Sequence, residues 1–75
     1  MMTLDTLRPG DRAIIRRIQN DTAEVGSLME MGLLVGTPVE FIKVAPLGDP
    51  IGLRIRGYYL SIRRSEARAI FVEKT

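Results

Sequence analysis

The side chains most often used for catalysis near neutral pH are missing from this chain. Its 75 residues include no histidine and no cysteine, which removes the imidazole base and the thiolate nucleophile. Ser27, Ser61 and Ser65 have no evident base partner, and the carboxylates are scattered singly beside turns or basic residues. Because nucleophilic catalysis requires a nucleophile paired with a base, we expect that the protein is not an enzyme.

Metal binding also has little support from the residue types. Ferrous iron favours imidazole and carboxylate ligands gathered in one cluster. The chain has no imidazole, and its first acidic residues are not spaced as a ligand set: Asp5, Asp11, Asp21 and Glu24. We therefore expect no metal site and no bound cofactor.

Arginines offer a third kind of chemistry, the binding of nucleic acid. Six of them could line a nucleic-acid groove beside Tyr59: Arg16, Arg17, Arg54, Arg56, Arg63 and Arg64. The other interpretation is a solvated face whose arginines lie along aliphatic surface. Eleven Lys and Arg against nine Asp and Glu give a net charge of only +2. We favour the solvated face, expect no nucleic-acid partner, and keep a small nucleic-acid-binding barrel as the alternative function.

A binding surface is therefore the remaining candidate, and residues 45–50 are its first part. Two prolines and a glycine in this stretch cannot continue a helix or a central strand, so it is predicted to form a rigid hairpin tip. Leu47 is an apolar residue where solvent is expected, and exposed apolar surface often marks a contact site. The candidate contact residues here are Pro46, Leu47, Gly48, Asp49 and Pro50.

The end of the main predicted helix is the second part of the candidate surface. Leu33, Leu34 and Val35 follow the helix stop at Gly32, and not all three side chains can be buried. Met31, Leu33 and Leu34 are therefore predicted to contact a partner. The alternative is that this helix end and the tip at 45–50 pack on one another.

The elements that position these residues follow from the apolar spacing. A helix is predicted over residues 20–31, with Asp21 as N-cap and Gly32 just past its end. Strands are predicted over 12–18, 38–44, 51–55, 58–62 and 70–72. A bulge near Arg16 and Arg17 would return Ile18 to the core side of the first strand.

The residue pattern also predicts the faces of the second strand and two short helical turns. In residues 38–44 we expect Ile42 and Val44 on one face and Phe41 on the other. Leu4 and Leu7 are three apart, which suits a single helical turn. Ser65 is the expected cap of another turn, which ends near Arg68.

Short strands separated by Gly and Pro turns favour a small closed or partly closed barrel. The predicted fold is mainly β, a small SH3-like barrel of about five strands with one inserted α-helix and short helical turns; an OB-like barrel is the alternative. Residues 1–75 are expected to form a single domain. The lack of cysteine, of a signal peptide and of any apolar run near the roughly 20 residues that span a bilayer favours the cytoplasm, without direct membrane insertion.

Four motifs in order resemble one known family. They are Leu7-x-Pro9-Gly10-Asp11, Leu28-x-x-Met31-Gly32-Leu33-x-x-Gly36, the stretch 45–50, and Leu60-x-Ile62-Arg63-x-x-Glu66-Ala67. Together they resemble the FeoA family, the small cytoplasmic partner of the bacterial ferrous iron transporter. The resemblance implies an SH3-like module of ferrous iron transport, and transition metal ion binding is a label of the family as a whole. It also implies a partner, the GTPase-bearing cytoplasmic region of the membrane transporter, which the module would bind and modulate.

Overall fold

Strands make up most of the regular structure in the computed structural model, which describes residues 1–19 and 22–75. Within these residues the strands are β1 (Met2–Thr3), β2 (Arg12–Ile18), β3 (Pro38–Val44), β4 (Ile51–Ile55), β5 (Tyr58–Ile62) and β6 (Ile70–Lys74). The helices are α1 (Ala23–Glu30) and α2 (Arg64–Ala67), and Leu4–Thr6 form a 3-10 turn. The mainly β prediction is confirmed. The sequence did not indicate β1, because two residues are too few to show an alternation.

The strands form one antiparallel sheet in the order β1-β6-β2-β3-β4-β5. Strands that follow one another from β2 to β5 are neighbours, and β6 returns to lie beside β2. The turn between β4 and β5 has two residues, Arg56 and Gly57, with φ of 44° and 89°. Two successive positive φ angles are typical of a type I′ hairpin, whose twist matches that of the flanking strands.

Two bulges set which side chains reach the core. The predicted one is confirmed, because the register between β2 and β6 shifts between Ile15 and Arg17 and Ile18 packs against the core. The second lies between Phe41 and Lys43. It places Phe41 and Val44 on the same, core-facing side, so the predicted separation of these two residues was wrong. A strict period of two cannot survive an inserted residue.

Helix α1 begins later than the sequence indicated. Its N-cap is Thr22, whose Oγ1 accepts a hydrogen bond from the Val25 N–H at 3.2 Å. The side-chain oxygen thereby satisfies one of the free N–H groups of the first turn. The N-cap predicted at Asp21 lies outside the described residues.

The C-terminal end of α1 is a Schellman motif, as the glycine at 32 suggests. The N–H of Gly32 donates to Met29 O at 3.0 Å, and the N–H of Leu33 donates to Leu28 O at 3.1 Å. Gly32 has a φ of 105°, in the region that side chains rarely adopt. The reversal returns Leu33 to the core beside Leu28, which is the apolar contact that usually accompanies this motif.

The core lies inside the curved sheet and is closed by α1, α2 and the 3-10 turn. Every strand from β2 to β6 contributes to it, and Phe41 is the largest fully buried side chain among the described residues. Leu4 and Leu7 are buried at one end, as predicted. This aliphatic core fixes the positions of the hairpin tip and of the end of α1, the two places where a binding surface was predicted.

Gly32→Ala tests the Schellman stop. The added Cβ would meet Tyr58 Oη at 3.1 Å in a backbone with positive φ, so we expect the free energy of unfolding to fall by about 1–2 kcal/mol. Urea denaturation measures this. Ser27→Ala, at an exposed site of the same helix, should leave stability unchanged or slightly raised. Equal stability of Gly32→Ala and the unaltered protein would contradict the assignment.

Candidate partner-binding surface

The hairpin tip between β3 and β4 presents an apolar side chain to solvent. Gly48 N–H donates to Ala45 O at 2.8 Å, and Ala45 N–H donates to Pro50 O at 3.1 Å, which closes the loop. Leu47 stands at its apex with 97% of its surface exposed. A rigid loop that holds a leucine outward loses little conformational freedom when a partner covers it.

Arg64, in the first turn of α2, holds this loop against the rest of the molecule. Its Nε donates to Gly48 O at 2.8 Å, and its Nη1 donates to Asp5 O at 3.0 Å. One guanidinium therefore joins the hairpin tip to the 3-10 turn near the N-terminus. Gly48 O and Asp5 O lie outside the β-ladders, so Arg64 supplies the hydrogen bonds that the sheet does not.

Asp49 fixes the other side of the same contact. Its Oδ1 accepts a hydrogen bond from the Arg64 N–H at 2.8 Å, and Glu66 Oε1 accepts one from the Arg63 N–H at 2.7 Å. Carboxylates at the N-terminus of a helix satisfy free N–H groups and complement the helix dipole. The cap predicted at Ser65 was therefore wrong, because α2 begins at Arg64 with Arg63 as its N-cap. The capping carboxylates are Glu66, within the helix itself, and Asp49, which is distant in sequence.

A groove of about 530 Å³ begins beside Pro50 and runs between α1 and β5. One wall is a stripe of α1 at helical spacing: Glu24, Ser27, Leu28 and Met31. The other wall is formed by Leu60, Ser61 and Ile62 of β5, and Arg63 and Glu66, at the start of α2, line the groove as well. The groove therefore has an apolar middle and charged residues at one end.

The structure brings together only part of the residues predicted to contact a partner. Met31, half exposed, and Pro50 line the same groove, whereas Pro46 and Leu47 stand out at the adjacent tip. Hydrogen bonds from Arg64 of α2 hold the tip, and Arg64 is bonded in turn to Asp5 O of the 3-10 turn. The alternative, in which the tip and the end of α1 pack on one another, is not needed to fix the loop.

The remaining predicted contact residues are placed differently. Leu33 is fully buried, so its side chain is unavailable to a partner and that prediction was wrong. Gly48 O and the Asp49 carboxylate are already bonded within the chain. Leu34 is 44% exposed, but it lies in the turn before β3, and a seven-residue strand separates it by about 20 Å from the tip that follows β3.

The arginines are engaged with several different partners. Arg16 pairs with Glu73 at 2.8 Å, and Arg17 lies over the ring of Phe71 at 5.2 Å. Arg54 donates to Tyr59 Oη at 2.6 Å; this bond raises the pKa of Arg54. Together with the inward guanidinium of Arg64, these contacts favour a solvated face over a nucleic-acid groove.

The carboxylates whose partners are seen bind groups of the chain itself. The Arg8 N–H donates to Asp11 Oδ2 at 2.8 Å, and this bond, assisted by Lys74, holds the pKa of Asp11 below its ordinary value despite partial burial. Within residues 1–19 and 22–75, no three acidic side chains come together as a candidate metal site.

The strand order and the inserted helix define a small β domain with a helix packed beside its sheet. Comparison with known proteins agrees: residues 2–74 match the model of the FeoA domain. The chain belongs to the FeoA family.

A curated relative joins this domain to a transporter. The Fe(2+) transport protein A/Fe(2+) transporter FeoB fusion protein of Porphyromonas gingivalis is 38% identical over 72 residues, which are 96% of this chain. The chain spans 8% of the length of that fusion protein. Ferrous iron transport is therefore the process with which the family is associated.

Solved structures of the family share the fold. The solution structure of FeoA from Chlorobium tepidum has a TM-score of 0.90 and 38% identity, covering 97% of this chain and 70% of that one. The zinc complex of FeoA from Stenotrophomonas maltophilia, described as an SH3 domain protein, has a TM-score of 0.82 and 26% identity, covering 97% and 91%. The predicted SH3-like fold is confirmed, and the OB-like alternative was wrong.

Neither α1 nor α2 has the length and apolarity of a bilayer-spanning helix, a finding limited to the described residues.

The sequence indicated the exposed tip but not the contacts that hold it. Arg64 and Asp49 are 15 positions apart, and neither stands in a local motif that indicates the contact. The groove was missed as well, because it needs the position of α1 beside β5, which no spacing within either element specifies.

Arg64→Met tests whether the guanidinium holds the tip. The variant keeps the apolar stem but loses the bonds to Gly48 O and Asp5 O, so unfolding free energy should fall by about 2 kcal/mol. Amide exchange at Leu47, Gly48 and Asp49 should also become faster. Arg63→Met, at the exposed neighbour, is the matched control and should change neither. Unaltered exchange at the tip in Arg64→Met would show that the loop is rigid without this contact.

Proposed function

We propose that this chain is a non-catalytic adaptor of a bacterial ferrous iron transport system, acting in the cytoplasm as one binding module over residues 1–75. Its partner is the GTPase-bearing cytoplasmic region of the membrane transporter, which it binds and modulates. Iron is cargo of the transporter in this account, and the adaptor needs no metal or cofactor of its own.

The observation that carries the proposal is the relative in which the same domain is joined to an iron transporter in one polypeptide. Fusion keeps two domains at a high effective concentration, which is useful when they must bind one another. A free-standing chain of this family would have to supply the same association through its surface. An exposed apolar tip beside a groove is the surface best suited to that task here.

The tip and groove support a contact that is pre-organised. Arg64 and Asp49 fix the loop from within, so Pro46, Leu47 and Pro50 need little reordering when they bind. Burial of one leucine side chain contributes about 1.5–3 kcal/mol. Leu47 is thus the central apolar contact of the proposed interface, and the groove extends it toward Met31.

Modulation follows from differential binding. An adaptor shifts its partner between states only by the difference in its affinity for those states. If the tip fits one nucleotide state of the transporter better, binding raises the population of that state. The adaptor performs no chemistry in this mechanism.

Leu47→Asp tests the proposed interface. The side chain is almost fully exposed, so the fold should be retained, while a charge at the apex should weaken binding to the isolated cytoplasmic region of the transporter at least tenfold, about 1.4 kcal/mol. Isothermal titration calorimetry measures the affinity.

Val35→Asp is the matched control. Val35 is also apolar and 62% exposed, and it lies in the turn at the opposite end of β3 from the tip. It makes the same change of charge and should leave the affinity unaltered. If Leu47→Asp and Val35→Asp bind equally well while both remain folded, the tip is not part of the interface.

A further inference from the structure

The outer edge of β5 carries backbone groups that the sheet leaves free. Ile55 and Tyr58 flank the two-residue turn and pair with one another, as do Leu53 and Leu60 further along. Flanking residues of such a turn form a hydrogen-bonded pair, and these pairs alternate along an antiparallel ladder. The N–H and C=O groups of Tyr59 and Ser61 therefore point away from β4.

Both ends of this free edge are closed by contacts of other elements. Beyond Ser61, the Arg63 N–H donates to Glu66 Oε1, and Arg63 O accepts from the N–H groups of Glu66 and Ala67. At the other end, the Tyr58 hydroxyl donates to Met31 O at the end of α1. The open stretch is thus limited to the outward groups of Tyr59 and Ser61.

Helix α1 lies across the groove from this edge and presents apolar side chains to it. Met31, half exposed, and Leu60, partly buried, line a cavity of about 530 Å³ together with the nearly buried Leu28 and Ile62, and this volume is within the range of ligand sites. A strand edge beside a helix face is a geometry that recognises extended peptides. The strand edge offers hydrogen bonds, and the helix offers contacts to side chains.

We propose that the groove between β5 and α1 binds an extended peptide segment, which adds a strand to the β5 edge. The outward groups of Tyr59 and Ser61 form up to four main-chain hydrogen bonds with it. Apolar side chains of the segment lie against Met31 and Leu60. The inference rests on the proposed function for the source of the segment, which is the cytoplasmic region of the transporter.

Charge at one end of the groove specifies the segment further. Two carboxylates, Glu24 and Glu66, line it together with one guanidinium, that of Arg63, so this end has a net negative charge. Opposite charges across an interface give specificity and orientation. The segment therefore carries a lysine or arginine next to its apolar residues, and that side chain lies beside Glu24.

Ser61→Pro tests strand addition with little disturbance of the barrel. Of the hydrogen-bond donors of β5, this change removes only the outward N–H of residue 61, and although the ring also fixes φ, proline is tolerated at edge positions whose N–H faces solvent. Affinity for the cytoplasmic region of the transporter should fall about five- to tenfold. Ser61→Ala removes the hydroxyl but keeps the N–H, so it is the matched control and should bind as the unaltered protein does.

Side-chain contacts alone would not change amide hydrogen exchange along β5, so this exchange tests whether a strand is added. On addition of the transporter region, the amides of Tyr59 and Ser61 should become protected, and the N–H of Leu60, already bonded to β4, should change little. Glu24→Gln should weaken binding about threefold and reduce its dependence on salt. These results together support an added strand with a basic residue.

The outcomes separate the two proposals. Binding by the unaltered protein, with equal affinity of Ser61→Pro and no new protection at β5, overturns strand addition and leaves the adaptor function standing. Loss of affinity in Met31→Asp without protection at Tyr59 and Ser61 also overturns it, since the groove would then bind side chains only. No binding by the unaltered protein overturns the adaptor function and this inference with it.

Discussion

The contact of Arg64 with the hairpin tip is the constraint on which the proposed surface depends. A loop of prolines and a glycine has few backbone partners of its own, and its carbonyl groups must be satisfied elsewhere. Arg64 supplies two donors to Gly48 O and Asp5 O, and Asp49 in return caps α2. Charged donors make stronger hydrogen bonds than neutral ones. The single guanidinium of Arg64 can therefore hold the loop in one position.

This arrangement leaves an apolar tip. Gly48 O and Asp49 Oδ1 are bonded within the chain, and the Leu47 side chain faces solvent. Apolar burial of Leu47 is therefore the main contribution that the tip offers to recognition. The β5 edge beside it has the opposite character, with free main-chain groups between apolar walls. Together the two surfaces offer a partner one apolar contact and one directional contact.

Local spacing predicted the parts of the fold that depend on neighbours in sequence. The alternation of Ile51 and Leu53, the glycine stop at Gly32 and the bulge in β2 were all indicated correctly. The bulge after Phe41 was not, since nothing in β3 distinguishes an inserted residue from a change of face. For the site, exposure at Leu47 was predictable from the turn chemistry. The capping of α2 by Asp49 was not, because such pairs form only after the chain has folded.

We propose that the tip and the adjoining groove bind the cytoplasmic region of the transporter and prefer one of its nucleotide states. Titration of isotope-labelled protein with that region, nucleotide-free and nucleotide-loaded, followed by amide chemical shifts, tests it most directly. If the tip and groove bind this region, the shifts should be concentrated at residues 47–49 and 59–61, and the midpoint of the titration should differ between the two states. Shifts confined to the β2 and β6 side of the sheet, or no shifts at high concentration, would contradict it.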